Sequence, residues 1–316
     1  MLLMGCSFSG EPGNGPVAMF RANPHSTGVY ETPGVPSLSG LKWRFETGDE
    51  VWSSPTVADG VVYFGSEDRN LYAVDIKTHN LKWKFETMKF VHSSPVMADG
   101  VIYIGSHDGI LYAVSVDTGK EIWHFALAGP VHTSPMLAGE TIYVGGEDET
   151  MYAVDVKKRE LNWKFKTGGE AHASVAIAGG IAYFGSDDNI LHTVDIDTGQ
   201  KRWRIETQGK IWSSPALHKG IVYFGSLDGN LYAVDAATAE QKWTFKTEDR
   251  VFSSPAIVGG VVYVGSEDWH PCAVDLQTGT LKWKFTSGGT VGFSSPVLDD
   301  GVVYFENRDG SLYALQ

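Results

Sequence analysis

The chain has 316 residues, 42% of them hydrophobic and 20% charged, the composition of an ordinary folded protein that is neither disordered nor membranous. Its formal charge of −13 argues against a nucleic-acid partner, which needs clustered Lys and Arg; the basic residues here are scattered (Lys42, Arg44, Lys82, Lys84, Lys282, Lys284) as solvated strand faces. Two cysteines, Cys6 and Cys272, make no disulfide framework, and apart from the N-terminus no stretch has the length and apolar character of a membrane span.

In chain order the first element is Met1–Cys6, MLLMGC, followed by SFSGEPGNGP. Small and apolar residues before a cysteine, with a Ser-, Gly- and Pro-rich stretch behind it, resemble the lipobox of a bacterial lipoprotein. That implies lipidation at Cys6, with the protein in the cell envelope, the periplasm or outside the cell, and with the membrane met only through that anchor. Only five residues precede Cys6, fewer than a full signal needs. A start further upstream and a chance match in a cytoplasmic protein therefore both stay open. Residues 7–40 hold five of the 13 prolines (Pro12, Pro16, Pro24, Pro33, Pro36). The expected division is a tether and lead-in strap over 1–40 and a folded domain over 41–316.

From Leu41 onward one unit recurs every 40 residues, marked by Trp43, Trp83, Trp123, Trp163, Trp203, Trp243 and Trp283. Tyr63, Tyr103, Tyr143, Tyr183, Tyr223 and Tyr263 keep the same period, and Tyr304 falls one residue late because of an extra residue near Gly292. In the second copy Ser93-Ser94-Pro95-Val96-Met97 leads to a hairpin turn at Asp99-Gly100. A strand over Val101–Gly105 follows, then a turn at His107-Asp108-Gly109, a strand over Leu111–Val114, a turn at Asp117–Lys120 and a strand over Glu121–Phe125. Alternation puts Leu81, Trp83 and Phe85 on one face of the fourth strand and Lys82 and Lys84 on the other, so the repeat tryptophans are expected between blades.

Four strands per 40 residues, repeated radially, predict a β-propeller. Inner strands are expected to begin near 52, 92, 132, 172, 212, 252 and 293. The first outer-type strand, Leu41–Glu46, precedes any inner strand, and the chain ends after a third strand at Ser311–Leu315. The expected fold is all-β: a seven-bladed β-propeller of four-stranded antiparallel blades, closed by Leu41–Glu46 as the outer strand of the C-terminal blade. An eighth blade from residues 7–40 would lack the Trp, the turn pairs and the alternation.

The pattern GSxDGxLYAxDxxTGxxxWxF followed by SSP, carried by Gly225–Asp235 and by Asp117-Thr118-Gly119 with Trp123, resembles the PQQ-like β-propeller repeat family over 41–316. That family includes quinoprotein dehydrogenases, BamB-like lipoproteins of outer-membrane assembly and sensor domains attached to kinases, so the resemblance implies a fold and leaves function to the site. The dehydrogenases are larger, with eight blades, and commonly stack the quinone on an adjacent cysteine pair beside a calcium. This chain has no adjacent cysteines, so neither PQQ nor another cofactor is expected. The turn aspartates Asp68, Asp108, Asp148, Asp188, Asp228, Asp268 and Asp309 recur in every copy and belong to turn hydrogen bonding.

Departures from the repeat on the rim that carries the 4-to-1 and 2-to-3 connections point to a site, because blade building does not need them. The positions opening the inner strands read Trp52, His92, His132, His172, Trp212, Phe252 and Phe293, an aromatic and imidazole ring at the channel mouth suited to a sugar or a planar ligand, or to plugging the channel. Three imidazoles suit a metal in kind, but no HxH or HxxxH spacing supports one, and no metal is expected. In the sixth blade Trp269-His270-Pro271-Cys272 replaces the usual turn and strand, which predicts a distorted third strand and pushes Trp269 and His270 to the rim, where Arg69 and Arg308 occupy turns of other blades. Cys272 reads as a buried substitute for Tyr.

No Ser/His/Asp set or close carboxylate pair can be assigned, so no catalytic residue is expected. The leading expectation is a monomeric, non-enzymatic propeller that presents its loop-rich rim to a protein or peptide partner, as resemblance to BamB-like proteins implies. The alternative is a carbohydrate-active enzyme, a polysaccharide lyase or hydrolase, taking an oligosaccharide at the Trp52/His92/His132/His172/Trp212 mouth; a PQQ-dependent dehydrogenase comes third.

Overall fold

A computed structural model of the chain describes residues 43–291, 295–299, 302–306 and 312–315. Cys6, the tether, Phe293 and Arg308 lie outside the described residues. The first blade consists of β1 (Thr56–Ala58), β2 (Val61–Gly65), β3 (Asn70–Asp75) and β4 (Leu81–Glu86), and the second of β5 (Val96–Ala98), β6 (Val101–Gly105), β7 (Ile110–Ser115) and β8 (Glu121–Ala126). Both are antiparallel meanders, and the same order recurs between Met136 and Lys166, Ala176 and Glu206, Ala216 and Lys246, and Ala256 and Lys284. The seventh sheet has three described strands, Val297–Asp299, Val302–Glu306 and Leu312–Leu315. No helix of the described residues is long and apolar enough to cross a membrane.

The inner strands are shorter than the sequence predicts, three residues each, and start at Thr56 and Val96 rather than near 52 and 92. The cause is the Ser-Ser-Pro segment. Ser93 Oγ donates to Gly105 O at 2.8 Å and accepts from Gly105 N at 2.8 Å, so a side chain takes the place of a ladder partner, and the proline has no N–H to offer. The residues that open each inner segment are therefore held outside the sheet.

The second serine of each pair joins blade to blade. The N–H of Ser54 donates to Ser94 Oγ at 2.9 Å, and the same bond links Ser94 to Ser134, Ser134 to Ser174, Ser174 to Ser214, Ser214 to Ser254 and Ser254 to Ser295 at 2.9–3.3 Å. These buried or half-buried bonds form a belt around the channel.

The outer strands also depart from simple alternation. In β4 Ala73 pairs with Trp83 but Val74 pairs with Leu81, a β-bulge at Lys82 that recurs in all six four-stranded blades. Leu81 does not share the fate of Trp83 and Phe85: those two are half-buried, whereas Leu81 is 44% exposed.

Trp83 crosses to the second blade, where its indole N–H donates to Val116 O at 2.8 Å; Trp163, Trp203 and Trp243 do the same at 2.7–3.2 Å. Gly119 lies under the Trp83 ring at φ 66°, where an added Cβ would sit 2.5 Å from a ring carbon, which explains the Thr-Gly turn. The apolar core accordingly lies between blades: Tyr63, Leu71, Ile102, Ile104 and Val114 join the first to the second, and Tyr223, Leu231, Val262 and Val264 the fifth to the sixth.

Residues 43–47 carry no strand assignment, but Trp43 and Phe45 lie on the first blade as Trp83 and Phe85 lie on the second. Trp43 stacks on His79 at 5.2 Å, and Phe45 meets Tyr72 edge-on at 5.7 Å, the counterpart of Phe85 on Tyr112 at 5.2 Å. This is the placement an outer strand of the last blade requires.

Candidate functional site at the channel mouth

Each described blade brings two sequence-distant positions together at the mouth. The residue after each Gly-Ser pair, or after Gly145-Gly146 in the third blade, donates its backbone N–H to the carbonyl two residues before the segment-opening position: Glu67 to Glu50, His107 to Phe90, Glu147 to Pro130, Asp187 to Glu170, Leu227 to Lys210 and Glu267 to Arg250, at 2.8–3.0 Å. The opening residues are anchored from behind. Val91, Val131, Ile211 and Val251 are fully buried, and Val131 presses so closely on Gly105 that a Cβ there would fall 2.2 Å from it. His92, His132, Trp212 and Phe252 thus start from rigid backbone.

The structure brings six of the sequence-predicted residues into one continuous row. Trp52 stacks on His92 at 5.4 Å, His92 meets His132 at 5.0 Å, His132 meets His172 at 5.4 Å, His172 meets Trp212 at 4.6 Å, and Trp212 meets Phe252 at 5.2 Å. Sequence reasoning missed a second row behind them. His107 lies 4.5 Å from His92 and 4.9 Å from His132 between ring centroids, and Phe90 stacks on His92 at 5.8 Å. The signal was present in the variable position of the GSxD motif, which reads Glu67, His107, Glu147, Asp187, Leu227 and Glu267.

Carboxylates orient these rings. Glu67 Oε1 lies 2.9 Å from His92 Nε2 and Glu170 Oε2 2.8 Å from His172 Nε2. Asp187 accepts the Trp212 indole N–H at 2.6 Å and pairs with Lys210 at 2.5 Å, while Glu50 accepts the Trp52 indole N–H at 2.7 Å. Burial and the neighbouring imidazoles His107, His172 and His92 push the His132 pKa down to about 4. Burial, with His92 and Lys89 beside it, does the same to His107, also to about 4. Both rings are neutral at pH 7.

The remaining predicted residues sit apart from this cluster. Trp269 is 51% exposed with φ 70°, and its blade's third strand starts only at Cys272, after Pro271. His270 is half-buried beside Asp268, and Arg69 is engaged with Glu86 of its own blade at 3.2 Å. Cys272 is buried, and burial pushes its thiol up to about 12, which leaves no nucleophile at pH 7.

The turn aspartates are structural. Asp108 accepts from Ile110 N, Tyr112 OH and Met88 N, and in the fourth blade His192 replaces the tyrosine and meets Asp188 at 2.8 Å. A wider concavity of about 720 Å³ lies away from the mouth between the fifth and sixth blades, but its Lys282 and Asp275 are already paired at 2.8 Å. The chemistry is concentrated at the mouth.

Fold and repeat together define a β-propeller of the PQQ-like, BamB-like type. The chain belongs to the family described as the beta-propeller of beta-alanine-activating enzyme, whose model matches residues 88–316. The model of the outer membrane protein assembly factor BamB matches residues 38–96. Among solved structures, BamB from Moraxella catarrhalis shares 18% identity over 88% of each chain with a TM-score of 0.75. The computationally designed Ika8 protein shares 16% over 85% of this chain and 96% of its own, with a TM-score of 0.56. At these identities the likeness is one of fold. None of the curated proteins matches the chain.

Proposed function

We infer that the protein is a non-catalytic binding propeller that receives a protein or peptide partner on the rim around the channel mouth. The observation that carries this reading is an exposed apolar strip between the first two blades. Val51, Trp52, Met88 and Phe90 are 47%, 57%, 75% and 43% exposed, and both Trp52 and Phe90 stack on His92. In other blades the residue equivalent to Val51 is buried against a glycine; the last blade has Glu306 in that glycine's place. Rigid aromatic anchors beside acidic groups favour a segment with apolar and basic side chains.

The carboxylates described above hold rings or Lys210 in place, an arrangement that favours orientation over acid-base work. By the same reading the protein sits at the cell envelope, tethered through a lipid on Cys6. Fatty-acid labelling in a bacterial host, expected to vanish in Cys6→Ser, tests that part.

The rim reading is tested by panning a displayed peptide library against the purified full chain and measuring the enriched peptides by calorimetry. Trp52→Ala with Phe90→Ala is expected to weaken binding at least tenfold with an unchanged melting temperature. Peptides indifferent to both substitutions would move the surface elsewhere. Failure to enrich peptides, together with binding of oligosaccharides lost in the same variant, would establish the carbohydrate reading instead.

A further inference from the structure

We propose that His92, His107 and His132 form a binding site for one divalent transition-metal ion, of the zinc, nickel or copper class, at the channel mouth. Each offers a ring nitrogen, and the three nitrogens lie within 4.8 Å of one another. An ion held at about 2.0–2.1 Å from each in tetrahedral geometry needs nitrogens about 3.3 Å apart, which small ring rotations supply. The residues come from three separate stretches of chain, on backbone fixed by the buried Val91 and Val131 and by the bond from His107 N to Phe90 O at 3.0 Å.

The surroundings of two of the rings, His92 and His107, favour a metal site over a plug of packed imidazoles. His92 Nδ1 and His107 Nε2 are buried with no hydrogen-bond partner among the described residues, an arrangement that calls for an explanation. The opposite nitrogen of His92 is held by a carboxylate, Nε2 lying 2.9 Å from Glu67 Oε1, while His107 Nδ1 has Glu147 Oε1 as a neighbour at 3.9 Å, beyond hydrogen-bond distance. Outer carboxylates on the far nitrogen are how metal-ligating histidines are held, with the near nitrogen left for the ion. An all-imidazole set suits zinc, nickel or copper rather than calcium or magnesium, which take oxygen.

A second group, Glu170, His172 and Asp187, has the spacing of a site. Its members are already committed, Glu170 to His172 at 2.8 Å and Asp187 to Lys210 and Trp212. Three protein ligands at the first group leave a fourth position for water or for a donor atom brought by a bound molecule.

The site is independent of the rim reading, since an ion can bind whether or not Trp52 and Phe90 engage a partner. The test uses untagged full chain stripped with chelator and titrated with Zn²⁺, then with Co²⁺ as a spectroscopic probe. One ion per chain, a raised melting temperature and the visible bands of tetrahedral cobalt are expected. His107→Ala and His92→Ala are expected to lower affinity at least a hundredfold, and Glu67→Gln, which leaves the ligands intact, tenfold to a hundredfold. His172→Ala and His124→Gln serve as controls that keep tight binding. Zinc binding indifferent to His107→Ala, an octahedral cobalt spectrum, or no binding by folded wild-type chain overturns the proposal.

Discussion

The backbone N–H of Ser134 donates to Ser174 Oγ at 3.2 Å. Ser174 stands in Ala-Ser-Val, the one described copy without Ser-Ser-Pro or Thr-Ser-Pro, and it still hands the bond on to Ser214 at 3.1 Å. The second serine is thus the constant member of the motif, while the first and the proline vary between copies.

Replacing Ser174 by alanine removes the acceptor and strands the Ser134 N–H in a half-buried place, which costs about 1–3 kcal/mol. The melting temperature is expected to fall by a few degrees in a calorimetric scan. Ser174→Thr, which keeps the hydroxyl, should recover most of the loss.

Gly119 combines a left-handed φ of 66° with the Trp83 ring above it. Gly119→Ala is expected to destabilise by about 1–2 kcal/mol through backbone strain and displacement of the ring. Ala239 occupies the equivalent turn at φ 62°, so the fold should survive. Denaturant unfolding gives the difference, and near-UV circular dichroism reads the displaced tryptophan.

His107 and His132 have folded pKa values near 4, below the ordinary 6.5. The unfolded chain therefore takes up protons first as pH falls, so their contribution is complete above about 6.5 and is lost between there and 4, by at most about 1.4 kcal/mol per pH unit for each group. Thermal melts in chelator across that window should show the decline, and a His107→Gln, His132→Gln variant should flatten it. The turn carboxylates Asp75 and Asp235, whose pKa values lie below the ordinary 3.8, act only in more acid solution.

Cys272 is raised to about 12 by burial, with Asp268 adding to the effect. The stability tied to its neutral thiol is present below about pH 9 and is lost as pH rises toward 12. At pH 8 iodoacetamide should leave Cys272 unmodified in the native protein and alkylate it fully in guanidinium, as read by peptide mapping.

Most of the blade was legible because its features are local and recur from copy to copy: the tryptophan and the turn aspartate in all seven, Ser-Ser-Pro in five and Thr-Gly in three, each marking one fixed contact. The inner-strand start and the exposure of Leu81 were not. Both follow from exchanges that periodicity cannot register, a serine hydroxyl standing in for a ladder bond and a bulge at Lys82. At the mouth the row from Trp52 to Phe252 was readable, since its positions share one register. His107 was hidden, because it comes from a different turn: it meets His92 only when its own blade folds the two segments together, and His132 only when the next blade is in place.

The belt and the rim give the propeller a division of labour that an evolving chain can exploit. In the first six blades, the residues that bear the load lie at positions different from those that choose the mouth's chemistry, and the choice comes down to three side chains, such as Phe90, His92 and His107 or Lys210, Trp212 and Leu227. Swapping these sets between blades would rewrite the mouth as an alphabet of six addressable letters while the frame beneath stays the same.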